Sequence, residues 1–201
     1  MIALTRCQFE LACKEFLACS KKLGDGSWRW REQSEPYVKI GYLEHRKSVC
    51  IPSEVASQEL AEFPELELEE EDAGCFVANS EEGKSRWNLE YNILYSAAYQ
   101  VPEIFVRGWN DEGSYLMDSQ ILQLTSVHLR DDLRKVEFGG GLTCMEHPIL
   151  RTPFYRLHPC ETANVMREVA GEELLVEDYI PMYINLIGPS VGLSLPLKYF
   201  T

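Results

Sequence analysis

EHPILRTPFYRLHPC, residues 146 to 160, is the stretch on which the reading of this chain turns. PFYRLH reads as a short strand, and Pro159 stops its ladder because proline has a fixed φ and no N–H to offer a neighbour. A thiol, Cys160, follows that stop directly, at a sheet edge or loop mouth where a macromolecular substrate can reach it. If the extended geometry runs on through Pro159, His158 and Cys160 share a face and the imidazole lies beside the thiol. A nucleophilic cysteine needs such a polar neighbour together with access to solvent.

Other readings of the same residues stand beside that one. Cys160 can be a packed thiol with His158 bonded to backbone. Cys144-x2-His147 and His158-x-Cys160 together offer two thiols and two imidazoles, the donor set of a tetrahedral zinc site, although the second pair is separated only by a stiff proline. A cysteine protease is a third option, with His45, His128 and His147 all upstream of the thiol and no identifiable group to orient them. Gly139-Gly140-Gly141 lacks the following Lys-Ser/Thr and opens no helix, which removes a phosphate loop.

Upstream, residues 5 to 24 have helical periodicity: Phe9, Cys13, Phe16, Ser20 and Leu23 fall on one face with Ala12 beside them. Thr5 and Gln8 have capping-box spacing, and Gly24 can take the left-handed conformation that ends a helix. SWRWRE and YVKIGYLE read as a hairpin joined at Gln33-Ser34-Glu35-Pro36, with the Trp28 and Trp30 face inward. RWNLEYNILYS sets Trp87, Leu89, Tyr91, Ile93 and Tyr95 on one face, EIFVRGW is the next strand, and Asn110-Asp111-Glu112-Gly113 turns the chain. This is an antiparallel meander. Asp118 is expected to cap a helix with Ile121, Leu124, Val127 and Leu133 inward, followed by a break at 138–141. TANVMREVA and DYIPMYINLIG are the C-terminal helices, the second capped by Asp178, with Pro181 in its first turn and Gly188 closing it. The fold class is α+β: an N-terminal helix on an antiparallel meander sheet with C-terminal helices, in one domain over 1–201.

Composition bounds the function. The apolar share of 45% and charged share of 25% belong to an ordinary globular protein. A net charge of −13 argues against a nucleic-acid binder, which carries a basic stripe. Nine acids between Glu54 and Asp72, with no Lys or Arg among them, account for most of the imbalance and mark 54–86 as an acidic loop insertion. That segment reads either as a solvated spacer or as a docking surface for a basic partner. No apolar run is long enough to cross a bilayer, and no signal peptide is read at the start, so a cytoplasmic protein is expected. Seven cysteines without framework spacing are expected to be reduced thiols, most of them small buried hydrophobes. Cys7, Cys13 and Cys19 repeat every six residues, which turns each to a different helix face.

Three stretches taken together, YNILYSAAYQVPEIFVRGW (91–109), EHPILRTPFYRLHPC (146–160) and PMYINLIGPSVGLSLPLKYF (181–200), resemble the autophagy-related protein 10 family of ubiquitin-like-conjugating enzymes. The resemblance spans nearly the whole chain and is weakest over 45–86. It implies a ubiquitin-conjugating-enzyme-like core with Cys160 as the nucleophile that carries a thioester. The implied partners are an activating enzyme (autophagy-related protein 7), a ubiquitin-like modifier (autophagy-related protein 12) and a target protein (autophagy-related protein 5). ATP would be spent at the activating enzyme, so no cofactor and no metal are implied for this chain. Ordinary ubiquitin-conjugating enzymes carry His-Pro-Asn upstream of the cysteine; here the corresponding words are His147-Pro148-Ile149 and His158-Pro159-Cys160, so the oxyanion Asn is missing. His158 is expected as the polar neighbour, with Asn164 or a backbone N–H at the following helix start as the oxyanion donor. Phe105 and Trp109 are the expected partner-binding residues if the hairpin after YQVP offers an edge to the target by strand addition. The plainer reading is a strand connection shaped by Pro102.

Overall fold

A computed structural model describes residues 3–34, 39–52, 84–117, 120–121, 124, 141–170 and 174–200. Helix α1 (Arg6–Lys22) starts where the sequence places it. Thr5 Oγ1 accepts from the Gln8 amide at 3.3 Å, and Gln8 Oε1 accepts from the Thr5 amide at 2.8 Å. Gly24 leaves the helix with φ of +72°. Thr5→Ala removes one half of this reciprocal cap and is expected to cost about 1 kcal/mol, read as a melting point lower by about 2–4 °C.

Six antiparallel strands follow: β1 (Trp28–Ser34), β2 (Lys39–Pro52), β3 (Lys84–Ser96), β4 (Val101–Asn110), β5 (Leu142–Glu146) and β6 (Pro153–Leu157). Their order in the sheet is β1-β2-β3-β4-β6-β5. β1 and β2 form the expected hairpin, with Ser34 opposite Lys39. β2 runs eight residues beyond YVKIGYLE, as far as Pro52, and pairs with β3 along that extension. β5 has no counterpart in the sequence reading; four of its five residues are exposed, so it carries no apolar alternation to betray it. β4 is an interior strand, flanked by β3 and β6.

One face of the sheet holds Leu43, Leu89, Tyr91, Ile93, Ile104 and Val106, and packs on Phe9, Phe16, Tyr183 and Ile184 of the helices. Trp28 is buried there against Phe16, ring centres 4.9 Å apart and edge-on, and Trp30 packs at the margin. Ile121 and Leu124 are buried in the same core, as expected. The opposite face is not solvated. Tyr42, Leu94 and Phe105 are covered by Ile149 and Phe154, and beside them lie the buried carboxylates of Glu44 and Glu90. Arg31 bonds Glu44 at 2.7 Å and Arg107 bonds Glu90 at 2.9 Å. Burial works to raise the Glu44 carboxyl, but the Arg31 hydrogen bond and the Arg46 charge outweigh it and hold it below its ordinary value.

Beyond β6 come a 3-10 turn (Pro159–Glu161), α2 (Thr162–Ala170) and α3 (Val176–Ile187). Three details of α3 differ from expectation. Its N-cap is Leu175, and Asp178 sits inside the first turn, where a carboxylate favours the helix dipole without capping. Pro181 is interior, and its missing N–H removes one helical bond. Gly188 stays right-handed and leads into a further 3-10 turn; the reversal comes at Gly192, φ +71°. Tyr91 Oη donates to the Val191 carbonyl at 3.1 Å, and Lys47 Nζ to that of Gly192 at 2.9 Å, which ties the turn to the sheet. Asp118, Val127, Leu133, the break at 138–140 and the acidic insertion as far as residue 83, including the Glu54–Asp72 run, lie outside the described residues; 84–86, expected at the end of that insertion, instead begin β3.

Candidate active site

Cys160 is half-buried, in the 3-10 turn between β6 and α2. Pro159 is the first residue of that turn, so the ladder of β6 ends at Leu157 as its missing N–H demands. His158 is not a strand residue, which corrects the expectation that its ring and the thiol share a strand face. It caps the turn, and its Nδ1 accepts from the backbone N–H of Cys160 at 3.3 Å. With Nδ1 accepting, the proton of the neutral ring is on Nε2. That nitrogen faces the hydroxyl of Tyr99 at 3.3 Å, and the two rings meet edge-on with centres 5.3 Å apart.

Tyr99 is the site residue that sequence reasoning missed. It lies in the Ala97–Gln100 turn between β3 and β4, it is exposed, and the turn holds its shape through Gln100, a non-glycine residue at φ +57°. The available signal was a tyrosine left in a turn whose neighbours, Val101 and Pro102, are buried.

The zinc reading does not survive the geometry. Among the described residues no three His, Cys, Asp or Glu side chains gather in a way that holds a metal ion. His147 is fully buried between the rings of Tyr42, Phe105 and Phe154. Its Nδ1 accepts from the amides of Ile149 at 3.2 Å and Leu150 at 3.0 Å, and the Asn92 amide closes on Nε2 at 3.4 Å. His147 is thus the cap of the turn that carries Ile149 over the second apolar cluster. Cys144 is exposed on β5, as are Cys7 on α1 and Cys50 on β2; of the described cysteines only Cys13 is fully buried, which corrects the expectation that most would be.

The family described as "Autophagocytosis associated protein, active-site domain" matches residues 8–198. The ubiquitin-like-conjugating enzyme ATG10 of Homo sapiens is 32% identical, over 95% of this chain and 90% of its own length. The chain belongs to the ATG10 family. The ATG10 enzyme of Arabidopsis thaliana is 28% identical over 79% of this chain and 74% of its own, and that of Dictyostelium discoideum 31% identical over 54% and 52%. A crystal structure of Atg10 superposes with a TM-score of 0.40 at 14% identity, over 89% of this chain and 95% of that one. That overlay is too loose to carry the fold, which stands on the sheet order itself.

As an ATG10-family member the chain is a ubiquitin-like-conjugating enzyme of autophagy, a class that works with a ubiquitin-like modifier and an activating enzyme. No helix among its described residues is long and apolar enough to cross a membrane. Other expected site residues fare differently. Asn164 is exposed on α2, and its amide donates to Glu161 at 2.9 Å while its oxygen accepts from Arg167 at 3.3 Å. One of its two amide N–H groups is engaged by the neighbouring carboxylate. Phe105 is fully buried in the second apolar cluster, so its ring is core and meets no partner. Trp109 is half-buried at the end of β4, where Tyr115 bridges to it and the Leu116 amide donates to the Gly108 carbonyl at 2.9 Å. The returning chain occupies that stretch of β4, and strand addition there would have to displace it.

Proposed function

We propose that Cys160 accepts the modifier autophagy-related protein 12 from the activating enzyme autophagy-related protein 7 and passes it to a lysine of autophagy-related protein 5. In the first step the Cys160 thiolate attacks the carbonyl of the modifier's C-terminal glycine; the bond to the activating enzyme's sulfur breaks and that thiolate leaves. In the second the lysine amine attacks the same carbonyl, loses a proton, and expels the Cys160 thiolate as the isopeptide bond forms. ATP is consumed upstream, when the modifier is first activated, so this chain needs no cofactor. A thioester lacks amide resonance and has a good leaving group, so what remains for the protein is placement of the amine and support of the oxyanion.

The observation that carries this reading is the position of Cys160: half-exposed, at the head of a helical run, with the His158–Tyr99 pair at its flank. Helix N-termini present partial positive charge, which favours a developing oxyanion. His158 spends Nδ1 on the Cys160 amide and Nε2–H on Tyr99, so it orients rather than ionises the thiol. Tyr99 then has its own O–H to donate toward the incoming amine or the oxyanion.

The test is a reconstitution with activating enzyme, modifier and ATP, resolved on a non-reducing gel. A thiol-sensitive adduct that disappears in Cys160→Ala supports the assignment; no adduct with active partners, or an adduct retained in the variant, removes it. His158→Ala is expected to charge normally and to discharge onto the target about ten-fold more slowly or worse, with a smaller loss for Tyr99→Phe. Discharge at the normal rate in both would take the pair out of the mechanism.

A further inference from the structure

Where β3 turns into β4 the surface carries an open cleft of about 340 Å³, lined by Leu94, Ala98, Phe105, Met145 and Ile149. Tyr99 belongs to its wall, and the Tyr99 hydroxyl is the group that faces His158 at 3.3 Å. The cleft is therefore separated from the flank of the thiol by one side chain.

The charge at its rim is unbalanced. Arg156 is paired with Glu103 at 2.7 Å. Arg6 also lines the cleft, but among the described residues it makes no ion pair; its guanidinium lies over the Tyr95 ring, 5.2 Å from the centre. Arg6 is moreover the first residue of α1, and the first turn of that helix holds no acid. A cation there opposes the helix dipole, and a local rule broken with no carboxylate to offset it points to function. The cleft thus combines an apolar lining, a cation that has an aromatic face but no carboxylate among the described residues, and a wall residue, Tyr99, that reaches His158 beside the thiol.

We infer that it receives an apolar side chain of the acceptor protein, on a segment whose carboxylate meets Arg6, and that this contact sets the acceptor lysine over Cys160. The inference rests on the conjugating reading of Cys160. Tyr99 and His158 link the cleft to the turn that carries the thiol, so an acceptor segment seated in the cleft lies on the Cys160 side of the molecule.

The enzyme is charged with modifier, and transfer to the acceptor protein is compared with discharge onto free lysine for wild type, Ala98→Trp, which fills the cleft, and Arg6→Glu, which reverses the rim. The expected result is an acceptor KM raised about ten-fold in each variant, and a ratio of acceptor transfer to free-lysine discharge lowered to match. An unchanged ratio in both variants overturns the inference, as does an equal fall in the two reactions, which would place the effect at the thiol. Concentration-dependent self-association of the wild type that Ala98→Trp relieves would assign the cleft to a second copy of the chain and also overturn it. If Ala98→Trp does not charge, Met145→Glu on exposed β5 gives the same reading. Failure of the wild type to charge counts against the conjugating function instead.

Discussion

Replacing Cys160 with serine is expected to turn a transient, thiol-sensitive adduct into a persistent one that survives reducing agent, while transfer to lysine falls by about a thousand-fold or more. The reason is the leaving group. A thioester carbonyl is poorly stabilised by its sulfur and expels a weakly basic thiolate; an oxyester is better stabilised and must expel an alkoxide. A thousand-fold loss corresponds to about 4 kcal/mol of barrier. The adduct is read on paired reducing and non-reducing gels, and the transfer rate from the pre-charged enzyme. Rapid transfer from the serine variant would show that the acyl group does not reside on residue 160.

Acidification from pH 7 to pH 4.5 is expected to cost the fold about 2–3 kcal/mol for each of two histidines, the buried His147 and the half-buried His45. Burial pushes the ring pKa of His147 down to about 4, with the Arg107 charge acting in the same direction. Burial pushes His45 down to about 4 as well, with Lys47 assisting. His45 stacks on Trp28 with ring centres 4.5 Å apart. Both rings are neutral in the native state, whereas in the unfolded chain they take up a proton near pH 6.5. The unfolded state therefore binds more protons between pH 6.5 and 4, and stability is complete above that window and lost as pH falls through it. Glu44 and Asp25, whose carboxyls are held below their ordinary values, add a loss of the same sign at lower pH. Urea unfolding at the two pH values measures the cost, and the imidazole proton resonances of both rings are expected to stay at neutral-ring shifts down to pH 5. Titration of both near pH 6.5 would show that neither is sealed.

The elements that were legible in the sequence are those whose apolar burial is one-sided. Phe9, Cys13 and Phe16 on α1 face a single core, so their period survives in the residue order; on β3 both faces are buried, but Trp87, Leu89, Tyr91 and Ile93 alternate with the polar Glu90 and Asn92, so the period survives there too. Where apolar burial is two-sided the period disappears. Tyr42 and Leu43 are adjacent on β2, and both are buried, one under Ile149 and the other under the helices. Only an accessible β4 edge would leave Phe105 for a partner. Its burial depends on β6 and the 147–150 turn lying over it, and β6 comes from nearly fifty residues downstream.

The candidate site divides in the same way. Cys160, its proline stop and its nearest imidazole are neighbours along the chain, so local covalent geometry already placed the thiol at the end of β6. By itself, then, the order of residues determined the α+β class, the N-terminal cap and the position of the thiol, because each depends on contacts within a few residues. Tertiary structure alone decided that His158 turns to the backbone and to Tyr99, that His147 is a buried cap and no ligand, and that both faces of the sheet are covered. Those outcomes depend on which distant side chain fills the remaining space and takes the remaining hydrogen bond, and a linear pattern carries no record of either.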